Sequence, residues 1–237
     1  MDFGLSFSYI FKDTDWFKKI LIIALVSLIP LLGQFVLIGW LMEISRKVAN
    51  GDRQPLLPDL DFGKQLGDGF KAFVAYLVYA LPLFIFYLPL IIVTAIAGAM
   101  GMDGETAAAI IGILSACTVI LVILYSIFLT LITPAIYTRI AVEGNIGSAL
   151  KVREIFSLLK SAFGSFILAL LGSLLAGIII APLGSIACGI GALLTTAYAM
   201  AIIGHLYGQA YAQATLNKAT PLSSMSYDAT NNLPPAL

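Results

Sequence analysis

A histidine at position 205, cysteines at 117 and 188, and scattered hydroxyl and amide side chains are the groups within the long apolar runs of this chain that could do chemistry. His205 stands between Gly204 and Leu206, with Gln209 four residues on. A zinc or copper site needs three or four nitrogen, sulfur or carboxylate ligands, and the stretch around His205 offers no cysteine or carboxylate to join it. Nor does a serine or cysteine stand near it at the spacing of a nucleophile and its base. Cys117 and Cys188 both fall in apolar stretches, where a thiol is more often a small packing residue than half of a disulfide or metal pair. Ser115, Thr118, Ser126, Thr130, Ser173, Thr195 and Thr196 are similarly placed, and a hydroxyl there ordinarily bonds a helix carbonyl. The expectation is therefore a non-enzymatic protein with no catalytic residue, no metal and no cofactor.

The elements that carry these residues follow from composition. Of 237 residues, 60% are apolar and 11% charged, too few charges to cover a soluble surface. No charge occurs between Lys19 and Glu43, Lys71 and Asp103, Glu105 and Arg139, or Lys160 and Lys218. Each stretch meets the roughly 20 residues that cross about 30 Å of hydrocarbon, and the last is long enough for two crossings. Unbroken apolar runs exclude a barrel, whose strands alternate polar and apolar residues. The predicted fold is all-α: a polytopic helical membrane protein with apolar segments at about 20–42, 72–100, 107–132, 161–181 and 184–206. Residues 1–215 form one membrane domain and 216–237 a flexible polar tail rich in Asn, Thr, Ser and Pro. A formal net charge of zero gives no electrostatic case for nucleic acid. Acidic residues at Asp2, Asp13 and Asp15, where a signal peptide is basic, argue against a cleavable leader.

Four of the apolar segments read as full spans. The first is divided by Pro30-Leu31-Leu32-Gly33-Gln34, so that Ile20–Ile29 covers only about 15 Å. It is either one kinked span or two half-helices that enter and leave on one side. Two interfacial amphipathic helices are predicted: one where Phe62, Leu66, Phe70 and Phe73 alternate with Asp61, Lys64, Asp68 and Lys71, the other over 146–160. Pro82 and Pro89 should kink the second segment.

Lys and Arg favour the cytoplasmic side of short loops. The segments before Ile20, from 43 to 71 and from 139 to 160 hold three, five and four of them, and the turns near 101–106 and Pro182 hold none. The long basic loops are thus expected in the cytoplasm of a prokaryotic cell, with the chain multi-pass in its plasma membrane. A first segment that crossed fully would put the first two basic segments on opposite sides. A re-entrant one puts all of them inside, and is favoured.

Small residues recur every four positions at Gly204, Gly208 and Ala212 and at Ala169, Ser173, Gly177 and Ala181. Such ridges let helix backbones approach closely, within the chain or against a partner helix. The breaks at Pro30, Gly33 and Gln34 and at Pro182 and Gly184 are the other candidate site, since discontinuous helices often line binding sites.

The order of features resembles a bacterial and archaeal family of multi-pass membrane proteins, domain of unknown function 4013. The resemblance rests on Asp15-Trp16-Phe17-Lys18-Lys19, Ile29-Pro30-Leu31-Leu32-Gly33, Gly39-Trp40-Leu41 leading to Arg46-Lys47, Gly51-Asp52, Leu57-Pro58-Asp59 and Asp68-Gly69-Phe70-Lys71. Gly204-His205-Leu206-Tyr207-Gly208-Gln209 is also similar. It covers about 5–215 and is most specific in the N-terminal third, where Trp40 supplies the aromatic that the family usually has after the glycine. It implies a membrane location and a helical fold, with no activity or catalytic residue to carry over.

The leading expectation is an accessory or structural subunit, or a homo-oligomer, that acts by helix packing; its partners are the lipid bilayer and a membrane protein or a second copy. The alternatives are a transporter or channel for a small or lipid-like solute, and a lipid-binding or bilayer-shaping protein. A cysteine-free variant carrying Lys18→Cys should resist a membrane-impermeant thiol reagent added outside intact cells; external labelling would reject the re-entrant topology.

Overall fold

The computed structural model describes residues 1–101, 104–184 and 190–219, and every regular element among them is helical. A short helix α1 (Phe3–Ser8) and a 3-10 turn lead to α2 (Trp16–Val26) and α3 (Leu32–Ala49). Two long helices follow, α4 (Phe62–Ala99) and α5 (Glu105–Glu143). Then come α6 (Ile146–Ala149), α7 (Val152–Ser161), α8 (Phe163–Leu175), a π-helical stretch Ala176–Ile180, α9 (Ala181–Leu183) and α10 (Ile190–Ala219).

Three helices are long and apolar enough to cross a membrane by length and composition: Phe62–Ala99, Ala107–Glu143 and Phe163–Ile180. Only 6%, 11% and 22% of their most apolar windows are buried. Leu81, Phe84, Ile85, Leu88, Ile91 and Ile92 on α4 face outward, as do Ile113, Ile120, Ile123, Leu124 and Ile127 on α5. An outward apolar surface on this scale suits hydrocarbon and not water.

The first apolar segment is two helices rather than one kinked helix. Pro30 cannot continue α2, and the Ser27 hydroxyl takes up the carbonyl of Ala24 at 2.6 Å where the helix ends. The outer end of α2 and the middle of α3 reach the same loop. Lys19 on α2 donates to the Leu57 carbonyl at 2.8 Å, and Trp40 on α3 donates its indole N–H to the Pro58 carbonyl at 2.9 Å. Seven residues separate Lys19 from Val26 and eight separate Leu32 from Trp40, so the turn lies about 10–12 Å from that loop.

Both expected amphipathic helices take a different form. Residues 62–73 are the unbroken start of α4, which begins at an Asp61 side-chain cap on Lys64 N–H and runs on through Pro82 and Pro89. No proline falls between Phe62 and Leu81, and Gly69, Ala72 and Ala75 present one continuous buried face. Residues 146–160 divide at Leu150–Lys151 into α6 and α7, and the apolar face of α7 (Ile155, Leu158, Leu159) is buried against the bundle. α10 continues past the expected boundary of the polar tail at 216 to Ala219, and Asn217 donates to the Ser161 carbonyl at 2.7 Å. Residues 220–237 of that tail, and Cys188, lie outside the described residues.

The centre of the bundle is α3. It packs antiparallel to α4: a Cβ on Gly39 would stand 1.9 Å from the Gln65 carbonyl oxygen, and one on Gly69 would stand 1.8 Å from that of Phe35. It packs parallel to α10, where Gly204 and Gly208 sit against the carbonyls of Leu41 and Ser45. Ser45 and Thr138 join it to α5 through buried hydroxyls 2.6 Å apart. Gly39→Ala and Gly69→Ala should each cost about 2–3 kcal/mol or prevent folding, since the obstruction is backbone that cannot rotate aside. Gly67→Ala, with open space around it on the same helix, should gain about 0.5–1 kcal/mol. Thermal unfolding in detergent checks both, and equal effects at the three glycines would contradict the packing.

Candidate functional site

Three structures converge on the hairpin made by α2 and α3: its apolar turn, the clamp that holds its base, and the buried histidine that ties the N-terminal segment to α10.

The turn comprises Ser27–Leu31. Leu31 has φ 62° and ψ −56°, and Leu32 N–H donates to the Pro30 carbonyl at 2.7 Å across it. That is a γ-turn of the positive-φ kind, strained by about 1–3 kcal/mol in a residue that carries a Cβ. Gly33 next to it approaches Val26 so closely that a Cβ would meet its carbonyl oxygen at 2.3 Å. Leu31 is 75% exposed, the highest value among the large apolar side chains of the described residues, and Leu25, Leu28, Ile29 and Leu32 around it are exposed too. Gln34 is exposed at the start of α3.

The base is clamped by polar groups. The buried Asp13 carboxylate accepts from Lys19 at 2.8 Å, from Leu57 N–H at 3.0 Å and from Asp15 N–H at 2.9 Å. Burial pushes its carboxyl up, but the Lys19 hydrogen bond, the two backbone donors and the Lys19 charge outweigh this and hold it below the usual 3.8. Burial likewise depresses Lys19, and Asp13 with Asp59 outweighs it, so the ammonium lies above the usual 10.5. Gln65 donates to the Asp59 carbonyl at 2.9 Å, and Lys47 to that of Leu56 at 2.9 Å. An irregular loop carrying Pro55 and Pro58 thereby has its carbonyls met by side chains from α2, α3 and α4.

His205 is fully buried and stacks on Tyr9, ring centroids 4.4 Å apart. Its Nε2 lies 2.8 Å from the Arg53 carbonyl, which can only accept, so the hydrogen is on Nε2 and Nδ1 is the acceptor. Ser6 Oγ lies 2.9 Å from that Nδ1, with the Gln209 amide nitrogen 3.0 Å from Ser6 Oγ. The Gln209 carbonyl takes Asp2 N–H at 2.6 Å. A serine hydroxyl on a histidine nitrogen is the arrangement of a nucleophile and its base. Here the hydroxyl is wholly enclosed, and the pair fixes α1 to α10. The sequence does not reveal Ser6, which is 199 residues from its partner. A cavity of about 480 Å³ opens beside this network, lined by Arg53, His205, Gln209 and Gln213 together with Val48 and Leu216.

The remaining sequence candidates are dispersed. Gly204 and Gly208 face α3, while Ala212 is half-buried between the buried Ala210 and Ala214. Along α8 and into the π-helical stretch the buried line is Ala169, Gly172 and Ala176; Ser173 donates to the Ala169 carbonyl at 2.7 Å, and Gly177 is exposed with open space around it. The four-residue stripe drifts off the buried face because that line steps by three and then four, and a π-helical stretch starts at Ala176. Ala181 and the exposed Pro182 lie in α9, and Gly184 closes against the Gly191 carbonyl, where a Cβ would stand 2.0 Å away. At the first break Gly33 closes against Val26 and Ser27, and at the second Gly184 closes against Gly191 and Thr195.

Residues 22–189 match the family described as "Protein of unknown function (DUF4013)". No curated protein and no solved structure matches the chain.

The clamp carries a pH dependence at each end. With the folded Asp13 carboxyl below 3.8, its contribution to stability is complete above that value and is lost as pH falls through the folded pKa. With the folded Lys19 above 10.5, its contribution is complete below that value and is lost as pH rises through the folded pKa. Asp13→Asn should lower stability by about 1–3 kcal/mol at neutral pH and flatten the acid limb of a melting-temperature profile. An unchanged acid limb would show that the clamp does not carry it.

Proposed function

We propose, from the geometry of a chain that belongs to the DUF4013 family, that it is a non-enzymatic integral membrane protein acting as an assembly subunit. In this reading α4, α5 and α8 cross the bilayer and α10 returns inside the bundle. The α2–α3 hairpin enters from the side that holds the basic loops and turns back near mid-depth. That basic side is cytoplasmic, in keeping with the distribution of Lys and Arg.

The observation that carries the proposal is the hairpin turn. A strained γ-turn is kept at Leu31, and it presents an outward patch of Leu25, Leu28, Ile29, Leu31 and Leu32. Strain of this kind persists only where the surrounding fold imposes it, and it concentrates where contacts with another molecule are made. A path for a polar solute would place polar groups at the broken helix, whereas this break is apolar apart from Gln34 and Ser27, whose hydroxyl is taken up by the Ala24 carbonyl. A second copy or another membrane protein fits such a surface. The enclosed Ser6 hydroxyl supports a structural role for the Ser6–His205 pair over a catalytic one.

In a cysteine-free background, Leu31→Cys in native membranes should give one discrete thiol-crosslinked species, either a dimer or an adduct of defined mass. Leu31→Gly relieves the positive φ and should raise the melting temperature by the equivalent of about 1 kcal/mol while weakening that assembly. A monodisperse monomer with no crosslink from Leu31→Cys would overturn the proposal.

A further inference from the structure

The outward face of α7 touches the bundle through Phe156, and it combines charges with an aromatic track. Ile155, Leu158 and Leu159 are spent on the bundle. The helix is fixed from the same side by the Arg139–Glu154 ion pair and by Ser161, whose hydroxyl donates to the Ala214 carbonyl at 3.1 Å. The hydrogen bond from Arg139 holds the Glu154 carboxyl below its usual range. The opposite face carries Arg153, Phe156, Ser157 and Lys160 around a shallow depression. These positions are spaced three, four and seven residues apart and so form one stripe. Among the described residues, Arg153 and Lys160 make no ion pair or side-chain hydrogen bond, in contrast to Lys151, which pairs with Glu154 at 3.4 Å.

The surroundings of this stripe are apolar. Val152 and Phe163 are exposed on either side of it. Phe156 stacks on Phe128 of α5, ring centroids 5.7 Å apart, and Phe128 meets Tyr125 at 5.5 Å. Tyr125 in turn meets Phe86 of α4 at 5.5 Å. The aromatic track thus leads from the two cations toward the outward apolar arms of α4 and α5.

From this placement we infer that α7 holds an anionic phospholipid of the surrounding bilayer. Its phosphate rests on Arg153 and Lys160 with the Ser157 hydroxyl between them, and an acyl chain follows Phe156, Phe128, Tyr125 and Phe86. The two cations lie about 10 Å apart along the helix, a span that one lipid headgroup can bridge with long side chains. Charge at the interface selects anionic over zwitterionic lipid, and the aromatic track selects a lipid over a free anion. The inference rests on membrane residence of the chain, and it does not depend on assembly through the α2–α3 turn.

The test is native mass spectrometry of the full-length protein in mild detergent, titrated with phosphatidylglycerol or with phosphatidylcholine. The wild-type chain should bind phosphatidylglycerol preferentially. Arg153→Ala or Lys160→Ala should weaken it about fivefold, and the double variant about thirtyfold, with phosphatidylcholine binding unchanged. Lys18→Ala, at an exposed lysine on α2, should leave the preference intact. Arg153→Gln with Lys160→Gln gives the same loss through longer polar side chains, should the double alanine variant unfold. Equal retention of the two lipids by the wild-type chain, or an undiminished preference in the double variant, would overturn the inference. So would displacement of phosphatidylglycerol by millimolar inorganic phosphate, which would mark a site for free anions. A lost preference in a chain that still extracts only with detergent would leave membrane residence standing.

Discussion

At the crossing of α3 and α4 the backbones themselves are in contact. Gly39 and Gly69 each face a carbonyl of the opposing helix at a distance no Cβ would fit, four residues apart on both helices and in antiparallel order. This approach brings α–hydrogens within reach of carbonyl oxygens and multiplies dispersion contacts, the forces that hold helices together where lipid removes the hydrophobic drive. The rest of the bundle is arranged around it. With α4 seated on one side of α3, the other side receives Gly204 and Gly208 of α10, and Ser45 reaches Thr138 of α5.

The polar end of the molecule follows from the same placement. Once α3 and α4 are antiparallel and touching, the loop between them must fold back over the end of the pair. Its carbonyls would then be orphaned at a membrane edge, where each unmet group is costly. Trp40, Lys47, Gln65, Lys19 and His205 supply donors to the carbonyls of Pro58, Leu56, Asp59, Leu57 and Arg53. The loop is therefore a junction to which α2, α3, α4 and α10 are all tied, and the α2–α3 turn is the free end of that assembly. Strain at Leu31 is held by this anchoring together with the backbone hydrogen bonds across the turn and the close approach of Gly33 to Val26.

Much of this was legible in the sequence, and the boundary is instructive at particular residues. Pro30 and Gly33 inside an apolar run mark a break at half a membrane's depth, and the break is where the chain turns. The segment at 62–73 reads as a separate interfacial helix because its charges and aromatics alternate at helical spacing, yet it is continuous with α4. Periodicity reports a helix but not where it ends when no breaker residue intervenes. The stripe Ala169–Ser173–Gly177 follows strict four-residue spacing, whereas the buried face follows Ala169, Gly172 and Ala176.

The helical class, the apolar runs and the gathering of basic residues into three polar segments were settled by the sequence alone, because hydropathy and charge are properties of each residue and need no partner. Which glycines matter was decided only by tertiary structure. Gly39, Gly67 and Gly69 lie within the same two helices, and two of them face backbone while the third faces open space. The same holds for Ser6 and His205, 199 residues apart in the chain and 2.9 Å apart in the fold. Close approach belongs to pairs of surfaces, and only the folded chain says which surfaces meet.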